Sequence, residues 1–262
     1  MREITFEESK EILAKTLESI DKCCRENNIE YSLCWGTMIG AIRHHGFIPW
    51  DDDIDLMMSR ENLNRFLTVY NDPEYAVYTP KVNNHMTLNT RIYNKKTSVF
   101  LKNRSKSYFG VWVSIFPFDN APDKNIRQWE MKRDFWLKIK HLKVQNLVGQ
   151  PLIRRGAKEV VRILLLPFSS NWIYNKIEKC LTEFNGQQTK RVCIWYGTPY
   201  MKFRYFPKEL LDGYMNVDFE EIKTKIIKGY DEFLKITYGN YMKLPPESER
   251  FPKHEYKAYY VE

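Results

Sequence analysis

Asp51-Asp52-Asp53-Ile54-Asp55 places four carboxylates within five residues. Groups so close repel one another and raise their own pKa values unless a cation neutralises them. If a strand runs from Asp53 to Met58, alternation sends Ile54, Leu56 and Met58 to one face. Asp53 and Asp55 then go to the other, about 7 Å apart along the chain. Two carboxylates on one face can share a hard divalent cation. Magnesium, held by few carboxylates and completed by water and phosphate oxygens, fits, with manganese as the alternative ion. Asp53 and Asp55 are therefore the candidate metal ligands, with Asp51 and Asp52 supporting them at the loop end. A solvated acidic loop is the competing reading, and the apolar residues at alternate positions weaken it.

The elements around this run are those a phosphate site needs. Ile29 to Trp35 alternates at period two and reads as a strand, ending at Gly36-Thr37, with a short helix over Met38 to Arg43. A strand passing through Gly-Thr into a helix start exposes backbone N–H groups at a positive dipole end. Gly36 lets a ligand approach the backbone. Arg43 either grips phosphate oxygens or pairs with the Asp cluster. Gly36, Thr37, Arg43 and Trp50 are the candidate nucleotide- or phosphate-binding residues. His44 and His45 are adjacent, so both cannot face one ion, and they are read as supporting or surface groups.

The rest of the chain reads as a frame. Thr5 and Glu8 form a capping box for a helix reaching Asn27. Ser59 caps a helix over Arg60 to Tyr70. Short β-like runs follow at Tyr75 to Tyr78, Thr87 to Tyr93, Thr97 to Leu101 and Gly110 to Phe118. The last is apolar enough for a buried central strand closed by Pro117, with Asp119 just beyond. A polar-basic helix covers Asn125 to about Val148. Leu152 to Phe168 is basic on one side and apolar on the other, fit for a membrane interface or for packing on the domain. Another amphipathic helix starts at Asn171, a strand is expected at Val192 to Gly197, residues 199–222 read as irregular, and a last helix spans Thr224 to Tyr238.

Composition sets the limits. The chain has 262 residues with 43% hydrophobic, so it is long enough to bury a core. Aromatics at 15% suggest stacking surfaces for sugars or bases as well as core. Net charge is +8, and residues 123–170 hold eleven Lys or Arg against four Asp or Glu. That surplus implies an anionic partner, such as a phosphate-rich polymer or an acidic membrane surface, with a solvated basic helix as the plainer alternative. Nucleic acid would explain the charge but not the Asp run, and none is expected as a partner. Five cysteines, without metal-type spacing and with no apolar leader or membrane-spanning run ahead of them, predict a cytoplasmic protein, or one peripheral at the inner face of the cell membrane.

The longer run from Trp35 to Asp55, Gly-Thr-Met-Ile-Gly-Ala-Ile-Arg-His-His-Gly-Phe-Ile-Pro-Trp-Asp-Asp-Asp-Ile-Asp after the Trp, closely resembles the LicD family of phosphotransferases, to which fukutin-related proteins are also similar. Val113 to Asp119 resembles that family's second motif, and Phe219-Glu220, Tyr230 to Leu234, Tyr238-Gly239, Tyr241-Met242, Leu244-Pro245-Pro246, Arg250 and His254 resemble its C-terminal signature. The resemblance implies an α/β (α+β) fold. In it a nucleotidyltransferase-like core sheet with flanking helices carries an additional helical region. The expected division is a catalytic core over 1–120, a basic helical region over 121–190 and a C-terminal part over 191–262 that completes the catalytic domain.

It also implies an enzyme that transfers a phosphorylated alcohol from a CDP-linked donor to a hydroxyl of a bacterial cell-surface glycan, releasing CMP. Phosphocholine from CDP-choline is the leading case; the acceptor is a teichoic acid, lipopolysaccharide or capsule precursor, lipid-linked in some cases. Glycerol- or ribitol-phosphate transfer, or nucleotidyl transfer on the same fold, are the alternatives. Family members commonly carry Asp where this chain has Ser114. Asp119 or Glu220 is the candidate for the missing third carboxylate, and a noncatalytic glycan- or nucleotide-binding protein is the reading if neither serves.

Overall fold

The computed structural model describes residues 1–83, 89–101, 109–144, 152–194, 204–252 and 256–261. In chain order the elements begin with β1 (Arg2–Glu3), α1 (Phe6–Glu26), β2 (Ser32–Leu33), α2 (Trp35–His44), β3 (Asp55–Ser59), α3 (Arg60–Val69), β4 (Tyr75–Tyr78), α4 (Pro80–Asn83), β5 (Thr90–Asn94) and β6 (Thr97–Leu101). They continue with β7 (Trp112–Ala121), α5 (Ile126–Val144), α6 (Leu152–Leu164), α7 (Ser170–Leu181), β8 (Arg191–Ile194), β9 (Arg204–Pro207), β10 (Tyr214–Phe219), β11 (Ile222–Ile227), α8 (Tyr230–Tyr238) and β12 (Tyr256–Tyr260). The fold is mixed α/β. Two compact units arise, one from residues 1–78, 90–118 and 206–262, the other from 79–89 and 119–205.

The first unit is built on a sheet with strand order β2-β3-β7-β5-β4. β3 and β7 run parallel, with Asp55 opposite Ser114 and Leu56 opposite Ile115; β5 returns antiparallel, placing Arg91 opposite Ser114. Leu56, Met57 and Met58 are fully buried, as expected of a strand covered on both faces. Helix α1 starts on the predicted capping box, with Glu8 N–H donating to the Thr5 hydroxyl and Thr5 N–H donating to Glu8. Its stripe Ile12, Leu13, Thr16, Leu17, Ile20 and Cys24 is buried. Tyr31 donates to Asp21 at 2.6 Å and meets the Thr224 hydroxyl at 2.7 Å. That buried network ties α1, the approach to β2 and the β10–β11 hairpin together.

In the second unit, α5 and α7 pack around Trp129, Leu137, Ile173, Tyr174, Ile177, Cys180 and Leu181. Trp129 Nε1 donates to the Cys180 carbonyl at 2.9 Å, so this buried indole keeps its polar atom satisfied.

Several sequence expectations give way to tertiary pairing. Residues 199–222 hold β9 and β10 among those described, and the helix expected from Thr224 begins only at Tyr230. Ile222 to Ile227 instead pairs along β10, with Tyr214 opposite Ile227. Strand pairing outweighed a fit to helical spacing. Pro117 does not close the central strand, which runs on to Ala121. Alternate residues of a ladder turn their N–H away from a given neighbour, so one proline is accommodated. The strand expected over Ile29 to Trp35 is two residues long, because Trp35 already begins α2. Parts of the expected elements at Thr87, 145–148 and 195–197, and His254, lie outside the described residues.

Lys140 on α5 is 5% exposed, its ammonium 5.5 Å from the Tyr174 ring centroid. Burial pushes its pKa down to about 8. A cation whose pKa is lowered by folding leaves the unfolded chain holding more protons between that value and the usual one, so stability rises with pH across this window. Lys140→Met is expected to stabilise the protein at pH 7 by roughly 1–3 kcal/mol and to remove the rise in melting temperature between pH 8 and 10. Calorimetric melts of both proteins across that range check it.

Candidate functional site

The acidic run is held between the first turn of α2 and the start of β3. Trp35 opens the helix at φ +52°, a left-handed conformation that swings the chain sharply out of β2. Cys34 N–H donates to the Asp55 carbonyl and Asp55 N–H donates to the Thr37 hydroxyl, both at 2.9 Å. Thr37 therefore fastens the strand to the helix. A Cβ on Gly36 would stand 2.9 Å from Asp51 Oδ2, so the glycine leaves room for that carboxylate against the helix start. The amides of the first turn have no intrahelical acceptors and carry partial positive charge, which offsets some of the acidic field.

Oxygens of Asp51, Asp52 and Asp53 lie within 4.8 Å of one another. Asp55 follows, buried at 7% exposure. Burial, then Asp53 and Asp51, push its carboxyl well above the usual carboxylate range, with Arg91 and a hydrogen bond from Ser114 pulling the other way. The strand starts at Asp55 rather than Asp53, so the tightest oxygen set is Asp51 to Asp53, with Asp55 alongside. An all-oxygen, carboxylate-rich donor set whose charges lift a neighbour's pKa fits a hard divalent cation.

Three residues from other strands reach the cluster, and two of them, Tyr256 and Arg91, carry no local sequence signal. Tyr256, from β12, donates its hydroxyl to the Asp52 carbonyl at 3.3 Å. Burial, then Asp52 and Asp53, raise its pKa above the usual tyrosine range. Ser114 bonds Asp55 and accepts from Trp112 Nε1 at 3.2 Å. Arg91 lies with its guanidinium carbon 4.6 Å from the centroids of both Phe109 and Trp112. Burial lowers its pKa to about 10, leaving it a cation at neutral pH.

Other candidates have their own places. Arg43 sits at the far end of α2, donating to the Tyr241 carbonyl at 2.7 Å and to His44 Nε2 at 2.9 Å. Burial, then Arg43, keeps the His44 imidazole pKa low. Arg250 lies over Trp50, its guanidinium carbon 5.6 Å from the ring centroid, a cation–aromatic pair next to the acidic run. Asp119 belongs to the second unit, where Asn185 Nδ2 donates to it at 2.5 Å.

Glu220 sits at φ +52° in the β10–β11 turn. Its N–H donates to the His45 carbonyl and its Oε1 accepts from Phe47 N–H, both at 2.8 Å. A Cβ on Gly46 would stand 2.1 Å from that Oε1, so Gly46 makes room for the clamp. The hairpin thus fixes the exit from α2 that leads into the acidic run. Glu220→Ala is expected to lower the melting temperature by roughly 3–8 °C, whereas Glu220→Gln, whose amide oxygen still accepts from Phe47, stays close to the parent. Thermal unfolding followed by circular dichroism checks both.

The family model described as LicD/FKTN/FKRP, nucleotidyltransferase domain matches residues 28–160, which contain the whole acidic run, Arg91 and Ser114. The chain is 30% identical over 271 aligned residues to the lipopolysaccharide cholinephosphotransferase LicD of Haemophilus influenzae, covering 99% of each protein. It is also 30% identical over 115 residues to the uncharacterized protein RP689 of Rickettsia prowazekii, covering 42% of this chain and 40% of that one. A match across half the chain, a full-length relative and an acidic cluster inside the matched region converge: the chain belongs to the LicD family and is a phosphotransferase.

Proposed function

We propose that the protein transfers phosphocholine from CDP-choline to a hydroxyl of a lipopolysaccharide, teichoic acid or capsule glycan precursor and releases CMP. What carries this reading is the end-to-end similarity to a lipopolysaccharide cholinephosphotransferase. The acidic cluster gives the chemistry a place. Asp51, Asp52 and Asp53, with Asp55, would hold magnesium or manganese, which when bound neutralises charge on the donor diphosphate. The acceptor oxygen attacks the choline-bearing phosphorus as the bond from that phosphorus to the bridging oxygen breaks. CMP leaves with that oxygen, and a carboxylate of the cluster takes the hydroxyl proton. First-turn amides of α2 and the Trp50–Arg250 pair are the groups we assign to orienting the donor.

The description of the matched family model as a nucleotidyltransferase domain favours one second reading, transfer of the whole nucleotide; the mass of the modified acceptor separates the two. With magnesium and a glycan acceptor, CMP release is expected from CDP-choline, in preference to CDP-glycerol and CDP-ribitol. Asp53→Asn and Asp55→Asn are expected to lower it by at least about a thousandfold while leaving the circular dichroism spectrum unchanged. Near-normal turnover in both variants would sink the assignment of the cluster.

An anionic bilayer is the proposed partner of the second unit. In α6, Val160, Ile163 and Leu164 recur three and four residues apart and are 58–68% exposed, continued by Leu166 at 71% and Phe168. Lys158, Glu159 and Arg162 on the same helix are half-buried. Val161 and Leu165 are half-buried as well, so part of the apolar surface is covered while the stripe of Val160, Ile163 and Leu164 faces solvent. Lys143 caps the end of this segment by donating to the Leu165 and Phe168 carbonyls. A solvent-facing apolar stripe within a segment of surplus positive charge matches an interfacial helix on anionic lipid. No helix among the described residues is long and apolar enough to cross a membrane. Sedimentation with phosphatidylglycerol vesicles is expected to capture the protein, with binding weakened by 0.5 M salt and by Arg154→Glu with Arg155→Glu, and abolished by Ile163→Glu with Leu164→Glu.

A further inference from the structure

The parallel β3–β7 pairing and the antiparallel β7–β5 pairing set Asp55, Ser114 and Arg91 in one row across three neighbouring strands. Directly opposed residues share a face, so their side chains leave the sheet on the same side, the outer two about 10 Å apart at the backbone. Arg91 is a largely buried cation whose Nε has no hydrogen-bond acceptor among the described residues. Its plane is set by two aromatic faces, Phe109 and Trp112, each 4.6 Å away. Ring faces hold a guanidinium without consuming its donors, which a carboxylate would do. A buried N–H that is left without an acceptor is costly unless a ligand supplies one.

We propose that Arg91 is a cation of the site supplied by the protein itself, and that it donates to oxygens of the donor's distal phosphate, opposite the acidic cluster. This rests on the CDP-linked donor proposed above. The planar fork of a guanidinium matches two phosphate oxygens at once. The same row explains Ser114. A carboxylate at 114 would stand beside Arg91 in register and pair with it, cancelling the charge the phosphate needs. Serine instead gives its hydroxyl to Asp55 and leaves Arg91 to the ligand. On this reading Ser114 is not a lost metal ligand but the residue that keeps Arg91 available.

Titration calorimetry with inorganic pyrophosphate, CDP-choline and CMP, on the parent protein, Arg91→Gln, Arg91→Lys and Ser114→Asp, tests it. Circular dichroism confirms that each is folded. Arg91→Gln is expected to weaken pyrophosphate and CDP-choline by at least about tenfold and CMP, which lacks the distal phosphate, by less than about threefold. Arg91→Lys, with its charge but without its fork, is expected to fall between, and decides the matter if the glutamine variant is unfolded. Ser114→Asp is expected to reproduce the loss. Parent-like pyrophosphate binding in the Arg91 variants overturns the proposal, and so does tighter magnesium-dependent binding in Ser114→Asp, the result of a restored metal ligand. If the parent binds pyrophosphate through Arg91 but not CDP-choline, the donor assignment falls and the phosphate site stands. A parent that binds neither refutes both.

Discussion

The mutual repulsion of Asp51, Asp52, Asp53 and Asp55 is the constraint around which the first unit is arranged. Left to itself such a run would extend into water and separate its charges. Here two hydrogen bonds of the Asp55 backbone, from Cys34 N–H and to the Thr37 hydroxyl, fasten its C-terminal end to the start of α2, and Glu220 fastens the segment before it. The unfavourable field that results is visible in the raised carboxyl of Asp55 and the raised thiol of Cys34, whose shift comes first from burial and then from Asp55 and Asp53. Holding like charges together in the absence of ligand stores electrostatic energy that a bound cation releases. Such a site is tuned for binding at the expense of stability.

The local parts of this arrangement could be read from the chain, and the non-local parts could not. The capping box at Thr5 and Glu8, the Ser59 cap and the strand at Tyr75 to Tyr78 depend on neighbours a few residues apart, and all are present. The acidic run and the Gly-Thr turn were legible for the same reason. Arg91 and Tyr256 were not, because nothing within a helical turn or a strand repeat of either marks it. Each is brought to the site by sheet register across tens to hundreds of residues. Glu220 was legible as a family feature, but its grip on Phe47 depends on a hairpin that helical spacing had hidden.

The second unit repeats this lesson at the level of a surface. The amphipathic character of Leu152 to Phe168 was plain in sequence, whereas the direction of its apolar stripe was not. Amphipathicity fixes that a helix has two sides and leaves open which one the protein takes. In α6 Val160, Ile163 and Leu164 are exposed, whereas Val161 is half-buried beside Lys158, Glu159 and Arg162. That exposed apolar stripe, more than the net charge of the segment, is what the proposed membrane contact rests on.

Strand β12 closes the first unit from a great distance along the chain: Arg2 lies opposite Tyr260 and Leu101 opposite Tyr256. Contacts of such separation close a loop that takes in most of the chain, an entropic cost that local pairings avoid. During synthesis the acidic run emerges long before the strand whose Tyr256 reaches Asp52 and whose pairing joins β1 to β6. The hydrogen bonds from Cys34, Thr37 and Glu220 that gather the run can form before β12 is made, whereas the Tyr256 contact with Asp52 cannot. A chain halted before residue 256 therefore lacks that one tie.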